Sequence, residues 1–480
     1  MEWGKERRWK QRMKKGAAVV SGCLAVFLMA GRAEVSAAPI PLRGVVEGFY
    51  GTPWSQEDRE DMIRFCGGQG LNAYIYAPKD DPYHRARWRE PYPEEKLSKL
   101  ASLSKLAKTQ GVRFIFAISP GLDIRFSGYQ GFMDRLAMQK KIEAMYRVGV
   151  RDFAIFFDDI PEKNGKGQAD FLNWIEANVL RKYPDVNPLI TVPTEYFRAD
   201  MVREGTLTDY SRDFSSRLNR DVLVLYTGDA VVGDGLSDAQ YREMIRIYGR
   251  SLGVWWNYPV SDYKESKLAL GPVEKLPTMS SLPAIFFNPM KYETLSRIAL
   301  ATGAAYAKDP EQYIPQRAWE AALSEQYGPL AEAMQQFAGQ SQRMENDWAH
   351  VGRPDGPVLR RMMDSYWKEI DCREGEASQE SLRAELLGLR HASSRLLDGL
   401  PAATRKECEP QLKQLIRIVD ADLAGLDVLA AKGQGRDTAS LLRIFRTRCE
   451  EVRRYDGTAL IAEKSARRFM DELFERTGGM

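Results

Sequence analysis

From residue 43 to about 290 the chain repeats one unit. A short apolar or aromatic run ends in Gly, Pro, Asn, Asp or Thr, and a stretch of helical amphipathic spacing usually follows. Eight such runs occur, at 44–51, 71–79, 112–121, 152–161, 189–196, 222–228, 253–259 and 283–289. Each is continuously apolar rather than alternating, which suits a parallel strand covered on both faces. Eight strands interleaved with helices over about 250 residues predict an α/β fold, a (β/α)8 TIM barrel spanning 39–310. A doubly wound open sheet is the rival arrangement. It would carry a Gly-rich phosphate turn after its first strand, and Gly48-Phe49-Tyr50-Gly51 does not fit that pattern.

After about residue 310 the strand-like runs stop and Ala, Leu, Glu, Arg and Gln dominate. Leu412, Leu415, Ile416, Val419, Leu423 and Leu426 recur at helical spacing, as do Leu382, Leu386 and Leu389. Gly433-Gln434-Gly435 breaks two helices, and Pro354-Asp355-Gly356-Pro357 marks a loop. The expectation is a C-terminal all-α helical bundle domain over 311–480, with these stripes as its core.

The first residues change the picture of where the protein works. Lys5, Arg7, Arg8, Lys10, Arg12, Lys14 and Lys15 precede an apolar segment, 17–31, which is too short to span a membrane. Small residues follow at Val35-Ser36-Ala37-Ala38, so 1–38 reads as an export signal cut near Ala37 or Ala38, with an uncleaved anchor as the alternative. Too little of the apolar run lies before Cys23 for a lipoprotein box. The expected location is secreted or cell-surface, with the leader passing straight into the barrel and no membrane contact after cleavage. The net charge of +3 gives no case for nucleic acid. Cys66, Cys372, Cys408 and Cys449 are scattered, and His84, His350 and His391 do not cluster. No metal-ligand spacing or Ser-His-Asp triad emerges, and no cofactor is implied.

In a barrel of this type chemistry lies at the C-terminal ends of the strands. Those ends supply Gly48, Lys79, Asp158, Asp159, Tyr196, Thr227, Trp255, Asn257 and Asn288, with Asp262 slightly beyond. Aromatic walls with amides and carboxylates suit a sugar ring, which has apolar C–H faces and many hydroxyls. The adjacent pair Asp158-Asp159 sits where a buried strand ends before Ile160-Pro161. Alone, such a pair reads as a helix cap beside a solvated rim charge. Among these neighbours it points to acid/base work on a glycosidic bond.

The runs Val45-Val46-Glu47-Gly48-Phe49-Tyr50-Gly51-Thr52-Pro53-Trp54, Tyr76-Ala77-Pro78-Lys79-Asp80-Asp81, Ile118-Ser119-Pro120-Gly121-Leu122-Asp123, Phe157-Asp158-Asp159-Ile160 and Pro193-Thr194-Glu195-Tyr196 resemble glycoside hydrolase family 84. The resemblance extends through about residues 43–305. It implies a retaining β-N-acetylglucosaminidase of O-GlcNAcase type, in which the substrate's 2-acetamido oxygen attacks the anomeric carbon and an oxazoline forms. By that resemblance Asp158 orients the acetamido N–H and Asp159 is the general acid/base. Tyr196 then donates to the acetamido oxygen and Asp262 holds ring hydroxyls. Gly48, Lys79, Thr227, Asn257 and Asn288 line the rest of the sugar site, and Trp255 forms part of the acetamido wall. The implied partner is a glycan or glycoprotein bearing β-linked GlcNAc.

Two positions depart from the family's habit. Val192 stands where Cys is common and Tyr226 where Trp is expected, both near the expected acetamido pocket. Two other functions stand beside the main reading: a hyaluronidase-type hydrolase, and a non-catalytic GlcNAc-binding surface protein. The natural aglycone and the oligomeric state are left open by the sequence.

Overall fold

The computed structural model describes residues 38–279, 281–372 and 377–478. The expected export signal lies outside the described residues, apart from its final position. Among the described residues no helix is long and apolar enough to cross a membrane.

Eight parallel strands close into a barrel: β1 (Leu42–Glu47), β2 (Ala73–Tyr76), β3 (Arg113–Ile118), β4 (Asp152–Phe156), β5 (Ile190–Val192), β6 (Leu223–Tyr226), β7 (Gly253–Trp256) and β8 (Ala284–Phe287). They follow one another in chain order around the ring, and β1 closes on β8 with Leu42 opposite Ala284. Although the runs are continuously apolar, the two faces pack differently because strand side chains alternate. On β4, Ala154 and Phe156 fill the barrel interior with Val46, Ile75, Leu225 and Phe286. Phe153, Ile155 and Phe157 face the helical layer.

Helices α1 (Gln56–Gln69), α2 (Glu94–Thr109), α3 (Gly128–Arg147), α4 (Gly165–Asn178), α5 (Asp209–Arg217), α6 (Asp238–Tyr248) and α7 (Glu293–Lys308) cover the barrel. Their starts are encoded locally. Ser55 with Asp58 and Ser237 with Gln240 form capping boxes at α1 and α6, each satisfying backbone N–H groups of a first turn.

The connection from β7 to β8 breaks the pattern. Among the described residues it holds only the short 3-10 turn Asp262–Lys264. Pro259, Pro272, Pro277 and Gly271 deny it a long amphipathic helix. The C-terminal part takes the place of the missing helix. Leu270 N–H donates to the Ser341 carbonyl at 2.8 Å, and Ser341 Oγ donates to the Leu268 carbonyl at 2.7 Å. Lys267 is buried and ion-paired to Asp355 at 2.5 Å and Glu463 at 2.6 Å.

Beyond Lys308 the chain forms α8 (Pro315–Tyr327), α9 (Ala331–Ala338), α10 (Pro357–Cys372), α11 (Ala377–Gly399), α12 (Ala402–Gly433), α13 (Ala439–Tyr455) and α14 (Ala466–Thr477). The predicted stripes are its core: Leu412, Leu415, Val419, Leu426, Leu382, Leu386 and Leu389 are buried, whereas Ile416 and Leu423 are only partly so. Two short ribbons escaped the sequence pattern, and Val202–Arg203 with Thr206–Leu207 is the one in the barrel part. Met344–Glu345 and His350–Val351 pair as a two-residue antiparallel ribbon, too short to show strand periodicity. Cys66, Cys408 and Cys449 are buried and Cys372 is exposed, all as free thiols.

Candidate active site

The strand ends converge on a pocket of about 310 Å³. Gly48, Lys79, Asp158, Asp159, Tyr196, Thr227, Trp255, Asn257, Asp262 and Asn288 all line it. The two aspartates follow β4 directly, but they do not sit alike. Asp158 is buried and its Oδ2 pairs with the ammonium of Lys79, which itself follows β2. Asp158 Oδ1 is buried without a hydrogen-bond partner among the described residues.

Asp159 has a left-handed backbone, with φ of 55°, a region uncommon for residues with a side chain and most accessible among them to Asp and Asn. The turn throws its carboxylate the other way. Tyr50 Oη donates to Asp159 Oδ2 at 2.6 Å and Tyr196 Oη donates to Oδ1 at 2.7 Å. Burial pushes the Asp159 pKa up, but Lys79 and the two tyrosine donors outweigh it and hold the carboxyl below its ordinary value. Burial, then the charge of Asp159, pushes both tyrosine hydroxyls well up, so they remain protonated donors.

Opposite the aspartates lies an amide chain. Asn288 Nδ2 donates to Asn257 Oδ1 at 2.9 Å, Trp255 Nε1 donates to the same oxygen at 2.8 Å, and Gly48 N–H donates to Asn288 Oδ1 at 3.3 Å. Asn257 Nδ2 donates to the Val231 carbonyl at 2.8 Å. Every member is thereby fixed in orientation. A Cβ on Gly48 would lie 2.3 Å from Trp255 Cζ2, so glycine is the side chain that lets the indole occupy its place. Thr227 spends its hydroxyl on the Ala230 carbonyl at 2.7 Å and shapes the turn after β6. Asp262 accepts the Tyr50 N–H at 2.8 Å, and burial raises its pKa against the N–H groups of Tyr50 and Tyr263.

Tyr50 was missed by the sequence reading, although it stands in the Gly48–Gly51 run already singled out. Val231, Val232, Val260, Tyr263 and Trp348 also line the pocket without having been expected there. Trp348 is the least legible. It comes from the ribbon in the C-terminal part and rests 5.1 Å from the Tyr263 ring. The two departures from the family pattern part company. Val192 lines the pocket, whereas Tyr226 packs outward against Tyr241 of α6, with ring centroids 6.3 Å apart. Strand alternation sends Tyr226 to the helices, so it does not face the pocket as expected. The same rule turns Trp255 inward and Trp256 outward. Among the described residues, no group of three or more His, Cys, Asp and Glu is placed to hold a metal ion.

A family model described as beta-N-acetylglucosaminidase matches residues 43–339, and one described as hyaluronidase post-catalytic domain-like matches 358–470. The Protein O-GlcNAcase of Rattus norvegicus is 32% identical over 288 residues, which covers 58% of this chain and 31% of the rat protein. The chain thus aligns with about a third of that relative's length. The solved structure of CpGH84B superposes with a TM-score of 0.85 at 35% identity, covering 91% of this chain and 77% of that one. A variant of the Thermobaculum terrenum O-GlcNAc hydrolase gives 0.80 at 28% identity, covering 91% and 95%. The family match spans most of the barrel and more than half of the chain, and the chain therefore belongs to the β-N-acetylglucosaminidase family, glycoside hydrolase family 84.

Proposed function

We propose that this protein is an exported, retaining β-N-acetylglucosaminidase that removes terminal β-linked GlcNAc from a glycan or glycoprotein. The substrate's own acetamido oxygen serves as the nucleophile. The observation that carries this reading is Asp158 Oδ1, a buried oxygen of a pocket-lining carboxylate with no donor among the described residues. Such an atom is costly until a donor reaches it, and a 2-acetamido N–H is a donor of the right kind.

With the amide held there, its oxygen attacks the anomeric carbon as the bond to the aglycone oxygen breaks. Asp159 gives its proton to that departing oxygen. As the ring closes, Asp158 takes the amide N–H proton and a neutral oxazoline results. Water then attacks the anomeric carbon while Asp159 takes its proton, and the carbon–oxygen bond of the oxazoline breaks. Asp158 returns the proton to nitrogen, with net retention at carbon. Tyr196 supports the acetamido oxygen. Lys79, Asp262, Asn257 and Asn288 hold the ring, with Gly48, Thr227 and Trp255 closing the pocket around it.

Tyr50 and Tyr196 both donate to Asp159 and hold it ionised. When Tyr196 turns to the acetamido oxygen, Asp159 loses a donor and its pKa rises toward the protonated form that an acid needs. Substrate binding thus arms the acid. The basic and apolar segments before residue 38 support export.

The test is hydrolysis of aryl β-N-acetylglucosaminides with increasing fluorination of the N-acyl group. A steep fall in rate as the acyl oxygen loses electron density supports substrate assistance. Turnover indifferent to fluorination means that the protein supplies the nucleophile. Binding of GlcNAc without any turnover means a sugar-binding protein.

A further inference from the structure

The catalytic pocket opens sideways. Val232 and Trp348 each line both that pocket and a second groove of about 780 Å³. The groove runs between the loop after β6 (229–237), the first turn of α6, the helix-free connection at 275–278 and the ribbon at His350. At about 310 Å³ the pocket is at the small end for a ligand site. The groove has room for what the bound sugar is attached to.

Its surface says what that is. Trp348 stands at the boundary with 52% of its surface exposed, supported from behind by Tyr263. An indole fixed in place yet open to solvent offers a stacking face to the C–H side of another ring. Beyond it the walls carry Ser237, Gln240 and Thr278, neutral groups held in place by bonds to one another and to Asp229 and Asp238, whose remaining lone pairs can accept from hydroxyls. The charge balance is acidic, with Asp229, Asp234 and Asp238 on the walls. Among the described lining residues Lys275 is the one Lys or Arg, and it is paired to Asp234 at 2.7 Å. Arg343 also spends itself on Asp234, at 2.5 Å. A carboxylate-bearing aglycone meets like charge there and no unpaired cation.

We infer that this groove is the aglycone site, that it takes a neutral oligosaccharide, and that it disfavours uronate-bearing glycosaminoglycan chains. The inference rests on the hydrolytic reading above and narrows its substrate class. An ideal Cβ on Gly233 meets nothing nearer than 3.8 Å, so Gly233→Tyr can fill the groove without touching the pocket. His350→Trp does the same from the exposed opposite wall, should the first variant fold poorly by thermal unfolding.

The experiment measures kcat/KM on four substrates sharing a non-reducing β-GlcNAc: an aryl glycoside, a neutral oligosaccharide, an unsulfated hyaluronan-type oligosaccharide and a glycopeptide. Wild type should favour the neutral oligosaccharide over the uronate-bearing one by about tenfold, equivalent to about 1.4 kcal/mol. The filling variant should erase that advantage and leave the aryl glycoside unchanged. The inference is overturned if the variant spares the neutral oligosaccharide, or if it impairs the uronate-bearing or peptide-linked substrate instead. Should wild type hydrolyse none of them, the enzymic reading fails separately. Calorimetric titration of the neutral oligosaccharide then decides the groove: binding lost only in the filled variant supports it, and equal or absent binding overturns it.

Discussion

The hydroxyl of Tyr50 donates to Asp159 Oδ2 at 2.6 Å while its own N–H donates to Asp262 Oδ2 at 2.8 Å, so one residue after β1 ties both sides of the pocket together. Donation to the ionised carboxylate lowers its pKa, and removing the donor raises it. In Tyr50→Phe the alkaline fall of kcat/KM, which reports the free enzyme, should therefore move to higher pH. About one pH unit is expected, given about 1.5 kcal/mol for a hydrogen bond to a charged group. An unmoved profile would show that this bond has no hold on Asp159.

Gly48→Ala tests whether the amide chain and the indole must coexist. The added Cβ would sit 2.3 Å from Trp255 Cζ2, and the ring has little room to yield because Phe156 packs against it at 5.5 Å. Overpacking of this kind costs about 1–3 kcal/mol. Displaced into the site, that is about a tenfold to hundredfold loss of kcat/KM on an aryl glycoside. Wild-type kinetics with an unchanged unfolding midpoint would contradict the packing described.

Lys267 tests the docking of the C-terminal helices on the barrel. Its ammonium lies between Asp355 and Glu463, and Asp355 also accepts N–H groups from Gln342 at 2.6 Å and Arg343 at 2.8 Å. Lys267→Met strands a buried carboxylate, which should cost about 3–5 kcal/mol in chemical denaturation. Because Asp262 and the Trp348 ribbon are held by the same junction, KM should rise as well. A variant as stable as wild type would mean that the pairing is dispensable.

Asp422 lies inside the helical core with neither carboxyl oxygen partnered among the described residues. Burial pushes its pKa far up, opposed by Arg467 and reinforced by Asp471 and Glu472. A raised folded pKa means that stability is fully present below the unfolded value of about 3.9. It is lost as pH climbs toward the folded value, because the unfolded chain sheds its proton first. Asp422→Asn removes that titration, so its gain in unfolding temperature should be larger at pH 7 than at pH 4. Equal gains at both values would mean that the carboxyl is not held protonated.

The barrel was legible because continuous apolar runs, each closed by Gly, Pro, Asn or Asp, report strand and terminus together within a few residues. Asp158 and Asp159 were legible for the same reason, since the end of a strand is a local event. Locality also sets the limit. The pair reads in sequence as two equal neighbours, and only the left-handed turn at Asp159, held by Tyr50 and Tyr196 from other strands, gives them different partners. Val192 and Tyr226 both stand near strand ends beside the pocket, and their places in the alternation of their strands put one on each face. Trp348 reaches the site because the helical part docks where the connection after β7 lacks a helix, a contact between segments far apart in the chain. Local pattern decides what each segment becomes. Which side chains meet, and hence which carboxylate keeps a free oxygen and which is held ionised, is decided by long-range packing that no single stretch encodes.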